Sequence, residues 1–254
     1  MLDFLVRDNG WRMPNWGLDF GSEVKSSSML GGHLLEIGAG FIFLFLVDWV
    51  LKRFRIRNTT HDSESLRWFI LHVISNTIVV LVALPDVLSL LRYPLHLSAH
   101  VSTIPKNMTF ALHLYHCLMF RNLQLIDWIH HIVMCLLIIL IRDNSGAELV
   151  NFLLFFLSGF PGGVDYVMLI LVKLNWMDSI KEKQINAQIN TWIRGPGILI
   201  GAVLIYIHYH LGTIEADPTH LTYCLLTLYW NAQYFSNRVI TNYGMKLSNP
   251  SYEM

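Results

Sequence analysis

Apolar runs recur seven times along this sequence, and most of them are close to 20 residues long. They cover residues 33–51, 66–84, 107–120, 125–141, 148–174, 191–211 and 219–240. A helix of about 20 residues crosses the roughly 30 Å hydrocarbon core of a bilayer, and it satisfies its own backbone hydrogen bonds where water is absent. The sequence therefore predicts an all-α, polytopic membrane protein with about seven transmembrane helices.

The composition agrees with a membrane location. Charged residues make up 14% of the chain and hydrophobic residues 54%, whereas a soluble domain carries about 25% charged residues. The 18 Lys and Arg residues balance 18 Asp and Glu residues, so the chain lacks the basic excess that attracts nucleic acids. We expect membrane lipids as partners and no binding of nucleic acid.

The apolar runs divide the chain into three parts. Residues 1–32 are predicted to form an N-terminal extramembrane or interfacial segment, because they carry tryptophans and no cleavable signal pattern. Residues 33–243 form the transmembrane domain, and residues 244–254 form a C-terminal tail. Twelve Lys and Arg residues lie on one side of the predicted spans and six on the other. The positive-inside rule then places the C terminus in the cytosol and the N terminus outside or in a lumen.

Two segments with proline and glycine interrupt the apolar runs. Residues 158–163, with the sequence Ser-Gly-Phe-Pro-Gly-Gly, are predicted to divide the fifth run into a short half-helix and a full span. The Gly-Pro-Gly sequence at 195–197 marks the entry of the sixth span, where a proline in the first turn costs little.

Ionisable side chains are costly inside a bilayer, so those in the predicted spans are candidates for function. His113 and His116 share one helix face, and Asp127 can meet either His130 or His131 three or four residues further on. A short connection makes the third and fourth spans an antiparallel hairpin, so these five side chains are expected to face each other. The resulting cavity is predicted to open toward the cytosolic leaflet.

A carboxylate beside an imidazole is typical of general-base or nucleophilic catalysis. We predict that His130 or His131 acts as base or transient acyl acceptor, that Asp127 orients it, and that His113 and His116 stabilise an oxyanion. Acyl transfer to an amine or hydroxyl fits these groups.

Two alternatives to this catalytic role remain. The histidines could instead tie helices together through hydrogen bonds. With the carboxylate they could also hold iron or zinc, but we predict no metal, because the chain has one HxxH and one HH rather than repeated histidine boxes.

A second group of polar and aromatic residues is predicted to line a lipid or substrate pocket. Asp165 could accept hydrogen bonds from the interrupted backbone or point into the histidine cavity, and Arg194 could anchor a lipid phosphate at the membrane surface. The group comprises Tyr115, Asp165, Arg194, Tyr229, Trp230 and Asn231. By contrast, His208, His210 and His220 are expected to be exposed on the lumenal side.

Residues 127–132, Asp-Trp-Ile-His-His-Ile, resemble the D-x-x-H-H segment on a span of the TRAM–Lag–CLN (TLC) domain family. The span with Tyr115, the run that begins at Glu148 and the aromatic final span are also similar to the family, so the resemblance covers roughly 66–243. It implies a helical barrel with the paired histidines as catalytic centre, acyl-CoA as a substrate and no firmly bound cofactor. It also implies the endoplasmic reticulum membrane, with the mitochondrial inner membrane as the alternative.

The chain departs from the ceramide synthases of that family after His131. It lacks a second H-D pair, an acidic D-x-x-L-E stretch and a Lys-rich continuation, so it is more similar to the shorter members linked to phospholipid composition and lipid trafficking. Two functions stay open. One is lipid acyl transfer that uses the histidine pair; the other is a non-catalytic lipid-binding or accessory subunit of a larger membrane complex with protein partners.

Overall fold

The computed structural model describes residues 26–53, 63–98, 101–120, 125–140 and 146–249. Within these ranges the chain forms helices joined by short connections, without a strand. The helices are α1 (Ser26–Arg53), α2 (Ser63–Arg92), α3 (Ile104–Met119), α4 (Leu125–Leu140), α5 (Ala147–Leu154), α6 (Phe160–Lys173), α7 (Ser179–Ile189), α8 (Gly195–His210) and α9 (Pro218–Ser248). The prediction of an all-α chain is confirmed for this part of the sequence.

Among the described residues, four helical segments are long and apolar enough to cross a membrane. They are His33–Arg53, Glu64–Arg92, Ala147–Lys173 and Ser179–His210. Helices α3 and α4 have 16 residues each, which at 1.5 Å per residue is about 24 Å and shorter than a typical hydrocarbon core. The described helices thus have the character of a membrane protein, and the count of seven spans stays a prediction.

The predicted half-helix in the fifth run is wrong. Helix α5 continues through a π-helical turn, Phe155–Gly159, into α6, so the helix is unbroken. Pro161 removes the amide that would bond the Leu157 carbonyl four residues earlier. The side chain of Arg194 supplies a donor instead, with Nε 3.0 Å from that carbonyl oxygen. A distant residue therefore satisfies the backbone group that the proline leaves unpaired.

The sixth span begins earlier than the sequence predicts. Helix α7 continues through a second π-helical turn, Asn190–Arg194, into α8, so one helix runs over Ser179–His210 rather than from residue 191. At 1.5 Å per residue its 32 residues extend about 48 Å, which exceeds the thickness of the hydrocarbon core. The additional turns include Asn186 and Asn190, which line the cavity described below.

Helix α2 lies at the centre of the bundle and packs against α3, α5 and α6. Helix α1 packs on α3, α3 packs on α4, and both α7 and α8 pack on α9. Helix α8 lies close to α5 and to the turn Phe155–Gly159 that follows α5: a Cβ atom at Gly197 would lie 2.2 Å from the Phe156 ring, and one at Gly201 would lie 2.5 Å from Leu153. Small residues at such crossings let helices pack closely in a bilayer.

Polar and apolar residues are distributed in the way expected of a protein surrounded by lipid. Large apolar side chains lie on the outside, including Leu35 at 77% exposure and Leu81 at 66%. Ionisable and amide side chains are buried, including Asp48, which pairs with Arg67 at 2.8 Å and Lys52 at 2.7 Å. Because an ionised group in a bilayer needs a partner, the pairing agrees with a membrane-embedded bundle.

Candidate functional site

A cavity of about 180 Å³ lies where α2, α3, α4, α6, α9 and the continuous helix α7–α8 converge. Its polar lining comprises side chains that are distant in sequence: His72, Asn76, Thr109, His113, His130, Ser158, Asp165, Tyr166, Asn186, Asn190 and Arg194. Imidazoles, a carboxylate and a guanidinium therefore share one small chamber. The volume suits a polar head group or the reacting end of a chain rather than a whole lipid.

Packing of α3 on α4 brings the four predicted histidines together. The ring centroid of His113 is 5.4 Å from that of His130 and 5.0 Å from that of His131, and the rings of His116 and His131 are 5.5 Å apart. Asp127 belongs to α4, but its side chain lies outside the described residues, so its predicted orienting role stays a prediction.

The four histidines occupy two layers. His113 and His130 line the cavity, whereas His116 and His131 lie behind it with 0% and 2% exposure. The ring of His116 is stacked between Trp68, at 4.1 Å, and His72, at 4.4 Å. Neither ring nitrogen of His116 or His131 has a hydrogen-bond partner among the described residues. Unpaired buried polar atoms are uncommon, and in a native protein they call for an explanation.

Backbone carbonyls set the tautomer of two cavity histidines. Nδ1 of His113 is 2.7 Å from the Thr109 carbonyl oxygen, and Nδ1 of His72 is 2.9 Å from that of Trp68. A carbonyl oxygen only accepts, so Nδ1 donates in both residues. In the neutral imidazole the lone pair then lies on Nε2, which is the atom available to a proton, a substrate or a metal ion.

His72 is a site residue that the sequence analysis missed. It lies in the second apolar run, contributes to the cavity and stacks on Tyr166 with ring centroids 3.9 Å apart. The signal was present, because a histidine within an apolar run is costly and therefore a candidate by the argument applied to α3 and α4. No other histidine lies near His72 in the sequence, so the sequence did not indicate that His72 lies beside His113 and His130 in the fold.

Arg194 and Asp165 form the opposite wall of the cavity. Arg194 is buried and contributes to the cavity rather than lying at the surface, and its binding of a lipid phosphate stays a prediction. Its terminal nitrogens donate to Asn231 Oδ1 at 2.8 Å and to Asn190 Oδ1 at 3.4 Å. Asp165 also lines the cavity, and its carboxylate accepts a hydrogen bond of 2.7 Å from Asn186 Nδ2.

The remaining predicted pocket residues are distributed over three places. Asn231 reaches the cavity through Arg194, and Tyr229 lines a second cavity of about 370 Å³ between α8 and α9. Trp230 is 67% exposed and faces outward. Tyr115 is buried between α1 and α3, where its hydroxyl donates to Asp48 Oδ2 at 3.0 Å. The structure does not bring Trp230 or Tyr115 to either cavity.

The exposed position predicted for His208 is also wrong. His208 is fully buried, with Nε2 donating to the Pro94 carbonyl at 2.9 Å and Nδ1 2.7 Å from Thr213 Oγ1. It ties the end of α8 to the chain after α2, which the sequence could not indicate because its partner lies 114 residues away. His210 and His220 are exposed as expected.

Three of the clustered histidines have the spacing of a metal-binding group. One ring nitrogen from each of His113, His130 and His131 lies within 4.8 Å of the other two. Comparisons of the chain with protein-family models, with curated proteins and with solved structures found no match.

Proposed function

We propose that this chain is an integral membrane lipid-handling protein that transfers an acyl group from a thioester such as acyl-CoA to the amine or hydroxyl of a lipid. The supporting observation is the cavity in which His72, His113 and His130 lie opposite Arg194 and Asp165. A reactive chamber of this kind inside a bundle with an apolar outer surface suits a substrate that arrives from the bilayer.

In the proposed step an imidazole lining the cavity accepts a proton while the amine or hydroxyl attacks the thioester carbonyl. The new carbon–nitrogen or carbon–oxygen bond forms, the carbon–sulfur bond breaks, and the imidazolium returns its proton to the thiolate that leaves. Nε2 of His72 and Nε2 of His113 have the required lone pair. His130 is a third candidate for the base.

Arg194 is suited to bind the negative charge of the reacting group. Three of the five N–H bonds of its guanidinium point to Leu157, Asn190 and Asn231. Two of its N–H bonds have no partner among the described residues and can bind an oxyanion or a phosphate. Because its neighbours hold the guanidinium in place, the group is preorganised for that role.

The second cavity provides a place for an acyl chain. It shares Asn190 with the first cavity, and its walls between α8 and α9 are mostly apolar. The apolar lining includes Ile198, Leu199, Ala202, Ala232 and Ile240. We propose that the reacting end of the substrate occupies the histidine cavity while its hydrocarbon tail lies in this groove.

The proposal includes seven spans, a cavity open to the cytosolic leaflet and a TLC-like arrangement of residues 66–243. The distribution of Lys and Arg in the loops supports the number of spans and their orientation. The D-x-x-H-H segment at 127–131 supports the TLC-like arrangement. We propose the endoplasmic reticulum as its membrane, with the mitochondrial inner membrane as the alternative.

The test is an acyl-transfer assay on the full chain in proteoliposomes, with labelled acyl-CoA and a panel of lysophospholipids and sphingoid bases. Replacement His130→Gln should lower product formation by about 100-fold or more if that imidazole is the base. The matched control His210→Gln changes an exposed histidine at the end of α8 and should leave the rate unchanged. Absence of any acylated lipid with the wild-type chain would refute the transferase.

A non-catalytic lipid-binding or accessory subunit is the second candidate. The observation that favours it is the stacking of the fully buried His116 between Trp68 and His72, which ties α2 to α3 in the manner of a packing residue. In that case the wild-type chain should retain lipid and co-purify with stoichiometric protein partners, yet yield no acylated product in the same assay.

A further inference from the structure

We propose that His113, His130 and His131 form a three-histidine site for a divalent transition-metal ion, with Zn²⁺ as the best chemical fit. The site forms part of the floor of the histidine cavity, because His113 and His130 both line it. Binding itself does not depend on the proposed acyl transfer; only the role assigned to the metal rests on that proposed function.

The spacing of the nitrogens is within reach of a zinc site. The three ring nitrogens all lie within 4.8 Å of one another. Ligands at about 2.0–2.1 Å from tetrahedral zinc are roughly 3.3 Å apart, so each nitrogen needs to move inward by about 1 Å or less.

The hydrogen bonds of His113 prepare it to be a ligand. Its Nδ1 donates to the Thr109 carbonyl oxygen at 2.7 Å, which leaves the lone pair on Nε2. Metal-binding histidines commonly donate their second ring N–H to a backbone carbonyl or carboxylate, and that bond fixes the tautomer and the ring orientation. This contact therefore resembles the outer shell of a metal site.

His131 supplies an independent observation. Its side chain is 2% exposed, and neither of its ring nitrogens has a hydrogen-bond partner among the described residues. A buried polar group without a partner loses the hydrogen bonds that it makes to water in the unfolded chain. A metal ion bound to one of these nitrogens accounts for the lone pair that the protein leaves unpaired.

The ligand type selects among metal ions. Imidazole nitrogens suit Zn²⁺, whereas Ca²⁺ and Mg²⁺ prefer oxygen ligands. Three histidines leave the fourth tetrahedral position open, as in zinc enzymes that bind water or substrate there. His113 and His130 line the cavity, so an open position on that side would face the proposed substrate, and the metal would act as a Lewis acid on the acyl carbonyl. His72 would then be the imidazole that accepts the proton.

The experiment measures the metal content of the full chain, purified in detergent without chelators, by inductively coupled plasma mass spectrometry. We expect one zinc ion per chain, and less bound zinc in His113→Gln and in His131→Gln, since even changes to outer-shell partners lower the metal affinity by about 10-fold or more. The control His210→Gln should retain the metal. Wild-type protein that holds no stoichiometric metal after incubation with Zn²⁺ would overturn the proposal, as would undiminished zinc in both variants.

A second measurement needs no variant and so does not depend on how well one folds. After removal of the native metal, Co²⁺ added to the wild-type chain should produce the strong visible absorption of a tetrahedral site and saturate at one ion per chain. Absence of this absorption would contradict the site. Acyl transfer by a metal-free chain would remove the role assigned to the metal and leave the metal site and the proposed function intact. Stoichiometric zinc without acyl transfer would leave the site intact and remove the proposed function.

Discussion

His72, His113 and His130 share one chamber although they belong to three different helices. What brings them together is the cost of leaving polar groups in lipid, which directs side chains of this kind to the interior of the bundle. The same cost explains why two of the imidazoles bond backbone carbonyls of their own helices, at Trp68 and Thr109. At the scale of single residues, these hydrogen bonds thus fix the rings of His72 and His113 with the lone pair on Nε2.

The first prediction concerns His72. Replacement His72→Gln should lower the rate of acyl transfer by about 100-fold or more, because general-base catalysis contributes factors of that size. Since the residue is buried, the variant must remain monodisperse in detergent with an unchanged unfolding temperature for the rate to be interpreted. A folded variant with wild-type activity would exclude His72 as the base.

A second residue-scale prediction concerns pH. The carboxylate of Asp217 caps α9 by accepting hydrogen bonds from the backbone amides of His220 and Thr219, and these bonds lower the pKa of Asp217. A group whose pKa is lower in the folded state stabilises the fold above its unfolded pKa, and this stabilisation is lost as the pH falls through the folded pKa. The unfolding temperature should therefore decrease in acid, and Asp217→Asn should flatten that decrease. Identical acid profiles for the two proteins would contradict the assignment.

At the scale of helices, two π-helical turns are the departures from regular structure that matter most. They lie at Phe155–Gly159 and Asn190–Arg194, next to each other in the fold. π-Helical turns within α-helices occur frequently at functional sites. Here one turn contains the carbonyl of Leu157 and the other contains Arg194, which binds it. The pair couples two long helices at the wall of the cavity.

This coupling gives a prediction about stability. Arg194→Leu should lower the free energy of unfolding by about 1–3 kcal/mol, since it leaves a buried carbonyl without a donor. In a chain that also carries Pro161→Ala, the new backbone amide can serve the Leu157 carbonyl, so the cost of losing Arg194 should be smaller. Thermal unfolding in detergent measures the four proteins of this double-mutant cycle.

The control for this cycle is Pro196→Ala. Pro196 lies in the first turn of α8. The described hydrogen bonds of the Arg194 side chain go to Leu157, Asn190 and Asn231, and none of these residues is four positions before Pro196. The changes in the free energy of unfolding caused by Arg194→Leu and Pro196→Ala should simply add. If those caused by Arg194→Leu and Pro161→Ala also add, Pro161 and Arg194 act independently.

Sequence reasoning predicted the helices better than the connections between them. Hydropathy and spacing predicted the all-α fold and the meeting of α3 with α4, because both follow from local patterns. The continuity of α5 with α6 was missed, since the donor that compensates Pro161 lies 37 residues from the carbonyl it serves. His72 and His208 were missed or misplaced for the same reason: what decides their role is a partner on a different helix.

At the scale of the whole molecule, a substrate that enters from the cytosolic leaflet requires a defined orientation of the protein in the membrane. If the two continuous helices, Ala147–Lys173 and Ser179–His210, both cross the bilayer, the loop at 174–178 lies on the side opposite to the loop at 211–217. The distribution of Lys and Arg in the sequence predicts that the first of these loops lies in the cytosol.

Labelling of single cysteines tests this orientation. In a chain with Ser at Cys117, Cys135 and Cys224, a cysteine introduced by Trp176→Cys should react with an impermeant maleimide once the plasma membrane alone is permeabilised. One introduced by Ala216→Cys should react only after all membranes are dissolved. Both positions are exposed. The opposite pattern of labelling would invert the proposed topology.

The central claim is that an acyl substrate places its reacting end among the cavity histidines. Photo-crosslinking tests it most directly: the full chain in proteoliposomes is illuminated with an acyl-CoA that carries a diazirine in its chain, and the labelled peptides are identified by mass spectrometry. We predict labels on residues that line the two cavities, such as Leu112, Ile198 and Ala232, and their loss when unlabelled acyl-CoA competes. Labels confined to outward residues such as Leu81 and Trp230, insensitive to competitor, would contradict the account.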